Sequence, residues 1–123
     1  MKLLSSSEAA APAPAADTTH FDGTVRQLPV HSTDDAHPVR VMVITFENGA
    51  RTHWHSHDGG QVLHVMEGQG LVQSRGEAVR RLRPGDVVSS APGEEHWHGA
   101  AEGATMRHLA VSIGTTRWLK GRR

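Results

Sequence analysis

The sequence predicts a single all-β domain, either a β-sandwich or a β-barrel. From Phe21 onward, short apolar or alternating runs recur at spacings of about 8–12 residues, which is typical of these folds. Turn signals rich in Gly, Pro, Asn and Asp separate the runs. No window shows the apolar period of an amphipathic helix, except for one turn near Trp118. Together these observations favour many short antiparallel strands.

Nine segments are predicted as strands, namely residues 24–28, 39–46, 52–57, 61–67, 70–75, 78–82, 86–90, 96–100 and 106–113. Segment 39–46 carries apolar side chains on both faces, which predicts a strand that is buried on both sides. Met42, Ile44 and Phe46 share the face that we expect to line the barrel interior and its pocket.

Length and composition exclude several classes of partner. The 123 residues suffice for one core, and a formal net charge of zero gives no electrostatic attraction to nucleic acid or to an anionic membrane. No apolar run approaches the roughly 20 residues that a membrane span needs. Cysteine is absent, so disulfides and thiolate metal ligands are excluded. We expect a cytoplasmic protein whose partner is a small-molecule substrate.

The two ends of the chain differ in composition from its middle. Residues 1–20 are an Ala/Pro-rich arm that we expect to be flexible or to pack on a partner subunit. Residues 21–116 form the predicted barrel, and residues 117–123 form a basic tail.

Most of the ten histidines fall in two clusters that have the spacing of metal ligands. On a strand, the side chains of His55 and His57 point to the same face. Gln61 follows four residues later and offers an amide oxygen as a further donor. Two converging imidazoles suit a first-row transition metal, and His96, just after the turn at residues 92–93, adds another nitrogen. The pattern predicts a metal site assembled from two hairpins.

Two motifs in this order resemble those of the cupins. The first consists of Gly49, His55, His57, Gln61 and Gly68, with Gln61 where the usual pattern has Glu. The second consists of Gly85-Asp86-Val87-Val88, Pro92-Gly93 and His96, with Ala100 where many cupins have Asn. The resemblance covers about residues 21–115. It implies a double-stranded β-helix (a jelly-roll barrel), a divalent metal ion inside the barrel mouth, and a homodimer or higher homo-oligomer.

A narrower resemblance is to the bacterial manganese-dependent cupin hydroxynitrile lyases of the (R)-mandelonitrile lyase type. It rests on His-x-His-x-x-x-Gln together with Pro-Gly-Glu-x-His-Trp-His-Gly-Ala-Ala and Thr-Met-x-His-Leu-Ala. The resemblance implies that the metal ligands are His55, His57, Gln61 and His96. It also implies that His98 and His108 support the ligands or transfer protons. Manganese is the favoured metal, with iron, zinc or nickel as alternatives.

The expected ligands are all uncharged, and this property leads to the predicted function. Three imidazoles and an amide leave a divalent ion its full charge, whereas a Glu ligand would neutralise one unit. The site is therefore expected to act as a Lewis acid on a group that becomes negative. The resemblance to hydroxynitrile lyases implies that this group is the hydroxyl of a cyanohydrin, which is cleaved reversibly to an aldehyde and HCN. His98 or His108 would transfer the proton. The alternatives are a metal-dependent dioxygenase, an isomerase, cyclase or decarboxylase, and a non-catalytic ligand-binding protein.

Overall fold

The computed structural model describes residues 1–119 and confirms an all-β protein. Its elements are α1 (Ser6–Ala10), β1 (Phe21–Asp22), β2 (Val25–Ser32), β3 (Val39–Phe46), β4 (Arg51–Thr52), β5 (His55–His57), β6 (Gln61–Gly68), β7 (Gly70–Ser74), β8 (Arg80–Leu82), β9 (Val87–Ser90), β10 (His96–Ala100), β11 (Met106–Ile113) and β12 (Thr116–Trp118). None of the helical structure in this range is long and apolar enough to cross a membrane.

The strands form two sheets. Five strands make up the first sheet, in the order β2, β3, β11, β6 and β9. Its longest ladder is antiparallel and joins β3 to β11 over the full length of both strands. The second sheet has seven strands, in the order β1, β4, β10, β5 and β12, with β7 pairing with both β10 and β8. β10 therefore pairs with three strands, β4, β5 and β7, and links the parts of the second sheet that they belong to.

The core lies on the inward faces of these strands. Fully buried apolar residues build it, among them Phe46, Leu63 and Met106. Along the inward face of β11, the buried residues are Met106, His108, Ala110 and Ser112. Two polar side chains, His108 and Ser112, therefore alternate with the apolar Met106 and Ala110 on this face.

The predicted strands agree closely with the structure where a single neighbouring strand pairs with every residue of the segment. Segments 39–46, 96–100 and 106–113 match β3, β10 and β11 at both ends. Segment 52–57 is instead divided into β4 and β5. It is divided because residues 53 and 54 form hydrogen bonds that belong to neither strand. The N–H of His53 donates to the carbonyl of His20, and the N–H of Leu119 donates to the carbonyl of Trp54.

Two expectations about the chain ends differ from the structure. The helical turn expected near Trp118 is wrong, because Thr116–Trp118 form β12 and pair with β5. Residues 117 and 118, assigned to the basic tail from the sequence, therefore belong to a sheet, while residues 120–123 lie outside the described residues. The helix in the described part of the chain is α1, where Ser5 and Glu8 form a capping box.

The N-terminal arm runs along β2, an edge strand of the five-stranded sheet. The backbone N–H of Ala16 donates to the carbonyl of Val25 at 2.7 Å, and that of Gln27 donates to the carbonyl of Pro14 at 3.2 Å. These bonds satisfy part of an edge that would otherwise be open to pairing with another chain.

Gly68, at the end of β6, provides a test of this architecture, with Gly76 as its control. Both glycines have positive φ, +81° and +85°. A Cβ atom added to Gly68 would overlap the carbonyl oxygen of Thr105, whereas one added to Gly76 would meet open space. We expect Gly68→Ala to lower the free energy of unfolding by about 3 kcal/mol or more, since strain and overlap add. Gly76→Ala should lower it by about 1 kcal/mol. Urea unfolding followed by circular dichroism measures both values, and equal losses would contradict the steric argument.

Candidate metal centre

The four predicted metal ligands converge from three strands. His55 and His57 lie on β5, Gln61 begins β6, and His96 begins β10. His55 and His96 are directly opposite each other in the antiparallel ladder, with ring centroids 4.4 Å apart. The ring of His57 lies 5.0 Å from that of His55 and 5.7 Å from that of His96. Each of the four residues is at most 4% exposed. The structure thus brings the four residues together in a buried group.

Two backbone carbonyls fix the tautomers of His55 and His96. Nδ1 of His55 lies 2.9 Å from the carbonyl oxygen of His53. Nδ1 of His96 lies 3.0 Å from the carbonyl oxygen of Glu94. A carbonyl oxygen can only accept, so Nδ1 carries the proton in both rings and Nε2 keeps its lone pair. Such bonds commonly orient metal-binding histidines.

His57 offers a third nitrogen. Its Nδ1 lies 3.0 Å from the hydroxyl oxygen of Thr116 on β12. Its Nε2 is buried and has no hydrogen-bond partner among residues 1–119. Leaving a buried polar atom without a partner costs about 1–3 kcal/mol. A cation bound to this nitrogen would remove that penalty.

Gln61 and His96 provide a direct test of whether a cation fits. The amide oxygen Oε1 of Gln61 lies 3.1 Å from Nε2 of His96. Both atoms are acceptors, because the proton of His96 is on Nδ1, so two lone pairs face each other. The amide nitrogen of Gln61 points the other way and donates to the hydroxyl oxygen of Ser112 at 2.9 Å. Facing acceptors of this kind are the arrangement that a shared cation stabilises.

His98 and His108 form a second pair beside this group. Nε2 of His108 lies 3.1 Å from Nδ1 of His98, and Nε2 of His98 is buried without a partner in the described range. Candidate ligand atoms of His55, His96 and His98 all lie within 4.8 Å of one another. His98 therefore lies close enough to His55 and His96 to be a ligand, and His108 contacts His98.

Comparison with known proteins defines the family. The Cupin domain family model matches residues 42–112, more than half of the chain. The chain belongs to the cupin family. The resemblance found in the sequence is thus confirmed, and with it the jelly-roll barrel.

Individual relatives refine this assignment. The chain is similar to an (R)-mandelonitrile lyase from Granulicella tundricola, with 50% identity over 91 residues that cover 74% of this chain and 70% of the relative. A cupin-like protein from Thermotoga maritima has a TM-score of 0.81 at 38% identity, covering 89% of this chain and 86% of that chain. An acetylacetone dioxygenase from Acinetobacter johnsonii has a TM-score of 0.73 at 13% identity, covering 98% of this chain and 78% of that chain. This last likeness shows the fold alone.

Burial keeps the histidines of this cupin neutral. Loss of hydration, with the nearby positive charge of a protonated His96, holds the pKa of His55 well below its usual value and that of His57 at about 4. Burial likewise lowers the pKa of His96. The pKa of His98 is lowered well below its usual value by burial and by His108, and burial alone brings the pKa of His108 to about 4. Neutral imidazole is the form that binds metal ions, so the site is ready to bind a divalent ion at neutral pH.

One of the three predicted pocket residues, Phe46, lies against the histidine pair. Its ring lies 5.6 Å from the ring of His98 and 5.3 Å from the ring of His108. Ile44 is opposite His108 in the ladder of β3 with β11, whereas Met42 is opposite Ala110. Ile44 and Phe46 are buried, and Met42 packs against the core.

Two aromatic residues near the ligands were not found from the sequence. Trp118 is opposite His55 in the pairing of β12 with β5, and the two rings lie 4.7 Å apart. The ring of His20 stacks on Trp118 at 4.2 Å. The one available signal was that Thr116 and Trp118 share the period-two alternation of a strand. Their contacts with β5 join distant parts of the chain, which no local pattern reveals.

The buried histidines predict a loss of stability in acid. An unfolded histidine takes up a proton near pH 6.5, whereas His108 in the folded protein does so near pH 4. Between these values the unfolded state binds more protons, so lowering the pH favours unfolding; above pH 6.5 the effect vanishes. For the chelator-treated protein, His108 should account for about 1 kcal/mol of lost stability between about pH 7.5 and 5.5.

Urea unfolding at these two pH values measures the effect. His108→Leu should lose about 1 kcal/mol less than the unchanged protein over the same interval. His64 is exposed on β6, so its replacement by Leu is the control and should leave the pH dependence of the unfolding free energy unchanged. The same pH dependence in all three proteins would contradict the assignment to His108.

Proposed function

We propose that this cupin is a metal-dependent lyase that cleaves cyanohydrins to an aldehyde and HCN and catalyses the reverse addition. The observation that carries the proposal is the 50% identity to an (R)-mandelonitrile lyase over 74% of this chain. His55, His57, Gln61 and His96 would hold the metal ion. We propose manganese as this ion, with iron, zinc or nickel as alternatives.

The charge of the donor set supports this chemistry. Held by three imidazoles and an amide, a divalent ion supplies Lewis acidity toward a hydroxyl oxygen without loss of its positive charge. The substrate is then a molecule whose oxygen becomes negative during the reaction, as the hydroxyl oxygen of a cyanohydrin does when it loses its proton.

The reaction moves one proton from oxygen to carbon. The O–H proton leaves, a carbonyl forms, and the bond between the carbinol carbon and the nitrile carbon breaks with its electron pair on cyanide. Cyanide then takes up a proton to give HCN. The required group therefore accepts a proton first and returns it afterwards, at a place that bulk water does not reach.

His98 has the properties that this exchange requires. Its Nε2 is buried without a partner in the described chain, and its lowered pKa keeps it neutral. When Nδ1 of His98 donates to Nε2 of His108 across their 3.1 Å contact, Nε2 of His98 is a base. After it accepts the substrate proton it is a donor, and its Nδ1 would still donate to Nε2 of a neutral His108. His98 is thus the proposed proton-transfer residue, with His108 as its supporting partner.

The side chains of β3 suggest the rest of the substrate. We propose that Met42, Ile44 and Phe46 form the apolar wall of the pocket, since Phe46 lies against His98 and His108 and the other two pack in the same core cluster. An aromatic or aliphatic group on the carbinol carbon would pack there and exclude water. Mandelonitrile, whose carbinol carbon carries a phenyl ring, is therefore a suitable first substrate.

Manganese-loaded protein should release benzaldehyde from racemic mandelonitrile, with a preference for one enantiomer. Ultraviolet absorbance follows the aldehyde, and chiral chromatography follows the remaining nitrile. His96→Ala should lose both metal and activity. His108→Ala should keep the metal and lower the rate by about 100-fold, as expected for a lost contribution to proton transfer. His31→Ala, at an exposed position on β2, should behave as the unchanged protein.

A different outcome would redirect the assignment. Protein that holds manganese yet releases no aldehyde from aromatic or aliphatic cyanohydrins would contradict the lyase proposal. Oxygen consumption by the iron-loaded protein would then favour a dioxygenase.

A further inference from the structure

We infer that Ser112 is a positioning residue that turns the amide oxygen of Gln61 toward the metal ligands. The inference rests on the metal-dependent part of the proposed function and is independent of the substrate. It is carried by the hydrogen bonds of Gln61, by the chemistry of its amide, and by a second serine on the other side of the same residue.

Gln61 is held at both ends of its amide group. Its nitrogen donates to the hydroxyl oxygen of Ser112 at 2.9 Å, and its oxygen faces Nε2 of His96 at 3.1 Å. Ser112 on β11 is directly opposite Gln61 on β6, and the two residues are 5% and 4% exposed. The bond to Ser112 is therefore buried, and solvent does not compete freely with it.

An amide needs such a partner, whereas a carboxylate does not. The two ends of an amide differ, because the oxygen can bind a cation and the NH₂ group cannot. A carboxylate presents an oxygen at either end. When the oxygen of a glutamine is on a cation, its NH₂ end needs a buried acceptor, and the hydroxyl oxygen of Ser112 supplies one for Gln61.

The loss of Ser112 should weaken the metal-bound form in particular. With the oxygen of Gln61 on a cation, the NH₂ group would have no acceptor and would stay buried without a partner. Without a cation, the amide can rotate so that its NH₂ group donates to Nε2 of His96. Only the carbonyl oxygen then lacks a partner, and buried carbonyl oxygens tolerate this better than N–H groups do.

Ser90 provides a matched control within the same sheet. It lies on β9, directly opposite Gln61 on the side away from β11, and it is 9% exposed. The amide nitrogen of Gln61 bonds to Ser112. Replacing either serine by alanine removes the same hydroxyl group next to the same glutamine, but only one replacement removes the bond.

The first experiment measures Mn²⁺ affinity by isothermal titration calorimetry. Ser112→Ala should weaken binding by about tenfold or more, the usual effect of losing a group that orients a metal ligand. Ser112→Thr, which keeps the hydroxyl, should restore most of the affinity. Ser90→Ala should change the affinity by less than about twofold, because no bond to Gln61 is lost. Thermal unfolding of each metal-free variant verifies that it folds.

The decisive comparison repeats Ser112→Ala in the Gln61→Glu background. Both ends of a carboxylate can bind the metal ion. Adding Ser112→Ala to the Gln61→Glu protein should therefore weaken Mn²⁺ binding by no more than about threefold. Water-proton relaxation of the Mn²⁺-loaded proteins gives an independent readout. The relaxation rate should rise in Ser112→Ala, because water takes the position that the amide oxygen leaves. It should not rise when Ser112→Ala is made in the Gln61→Glu protein.

Each result decides between distinct conclusions. An equal loss of affinity in both backgrounds, or no loss in Ser112→Ala, would overturn the positioning role while leaving the metal centre intact. An unchanged protein that binds neither Mn²⁺ nor another divalent ion would overturn the metal-dependent function together with this inference. Failure to cleave mandelonitrile would affect neither measurement.

Discussion

Buried acceptor atoms that face one another are the constraint on which the rest of this structure depends. Nε2 of His96 and Oε1 of Gln61 lie 3.1 Å apart, and Nε2 of His57 and of His98 have no partner in the described chain. Each of the two unpartnered nitrogens opposes folding by about 1–3 kcal/mol unless a cation satisfies it. The apolar residues packed along the barrel interior offset this cost. The unpartnered nitrogens thus lower the stability of the barrel without a cation, and a divalent ion in the candidate site would restore it.

Strand pairing holds these atoms in place. The ladder of β5 with β10 sets His55 opposite His96, and the ladder of β6 with β11 sets Gln61 opposite Ser112. Bonds to the carbonyls of His53 and Glu94 then fix which nitrogen of each ring is free. Because alternate residues of a strand point to opposite faces, a shift of one residue in either ladder would turn the ligands away from the barrel.

The amide at position 61 distinguishes this centre from one with a carboxylate ligand. In the proposed ligand set it would keep the donors uncharged, which would favour reactions in which negative charge develops on the substrate. It also introduces a need for orientation that the backbone alone does not meet. The shared fold does not decide the reaction, since an acetylacetone dioxygenase with 13% identity has the same architecture. We propose that side chains such as Gln61, His98 and His108 decide the chemistry.

The sequence by itself determined the strands and the set of candidate ligands, because both depend on local periodicity. The alternation in segment 106–113 and the spacing of His55, His57 and Gln61 are visible without any knowledge of tertiary structure. The homo-oligomer and the cytoplasmic location expected from the sequence stay predictions.

Only the tertiary structure decided which residues act on those ligands. The bond between Gln61 and Ser112 joins residues 51 positions apart, and that between His57 and Thr116 spans 59 positions. The stacking of His20 on Trp118 joins the end of the arm to the last described strand. Such contacts depend on how the sheets curl and in what order their strands pair. A local sequence pattern determines the direction of a side chain along its own strand, but it does not determine the partner that the side chain meets.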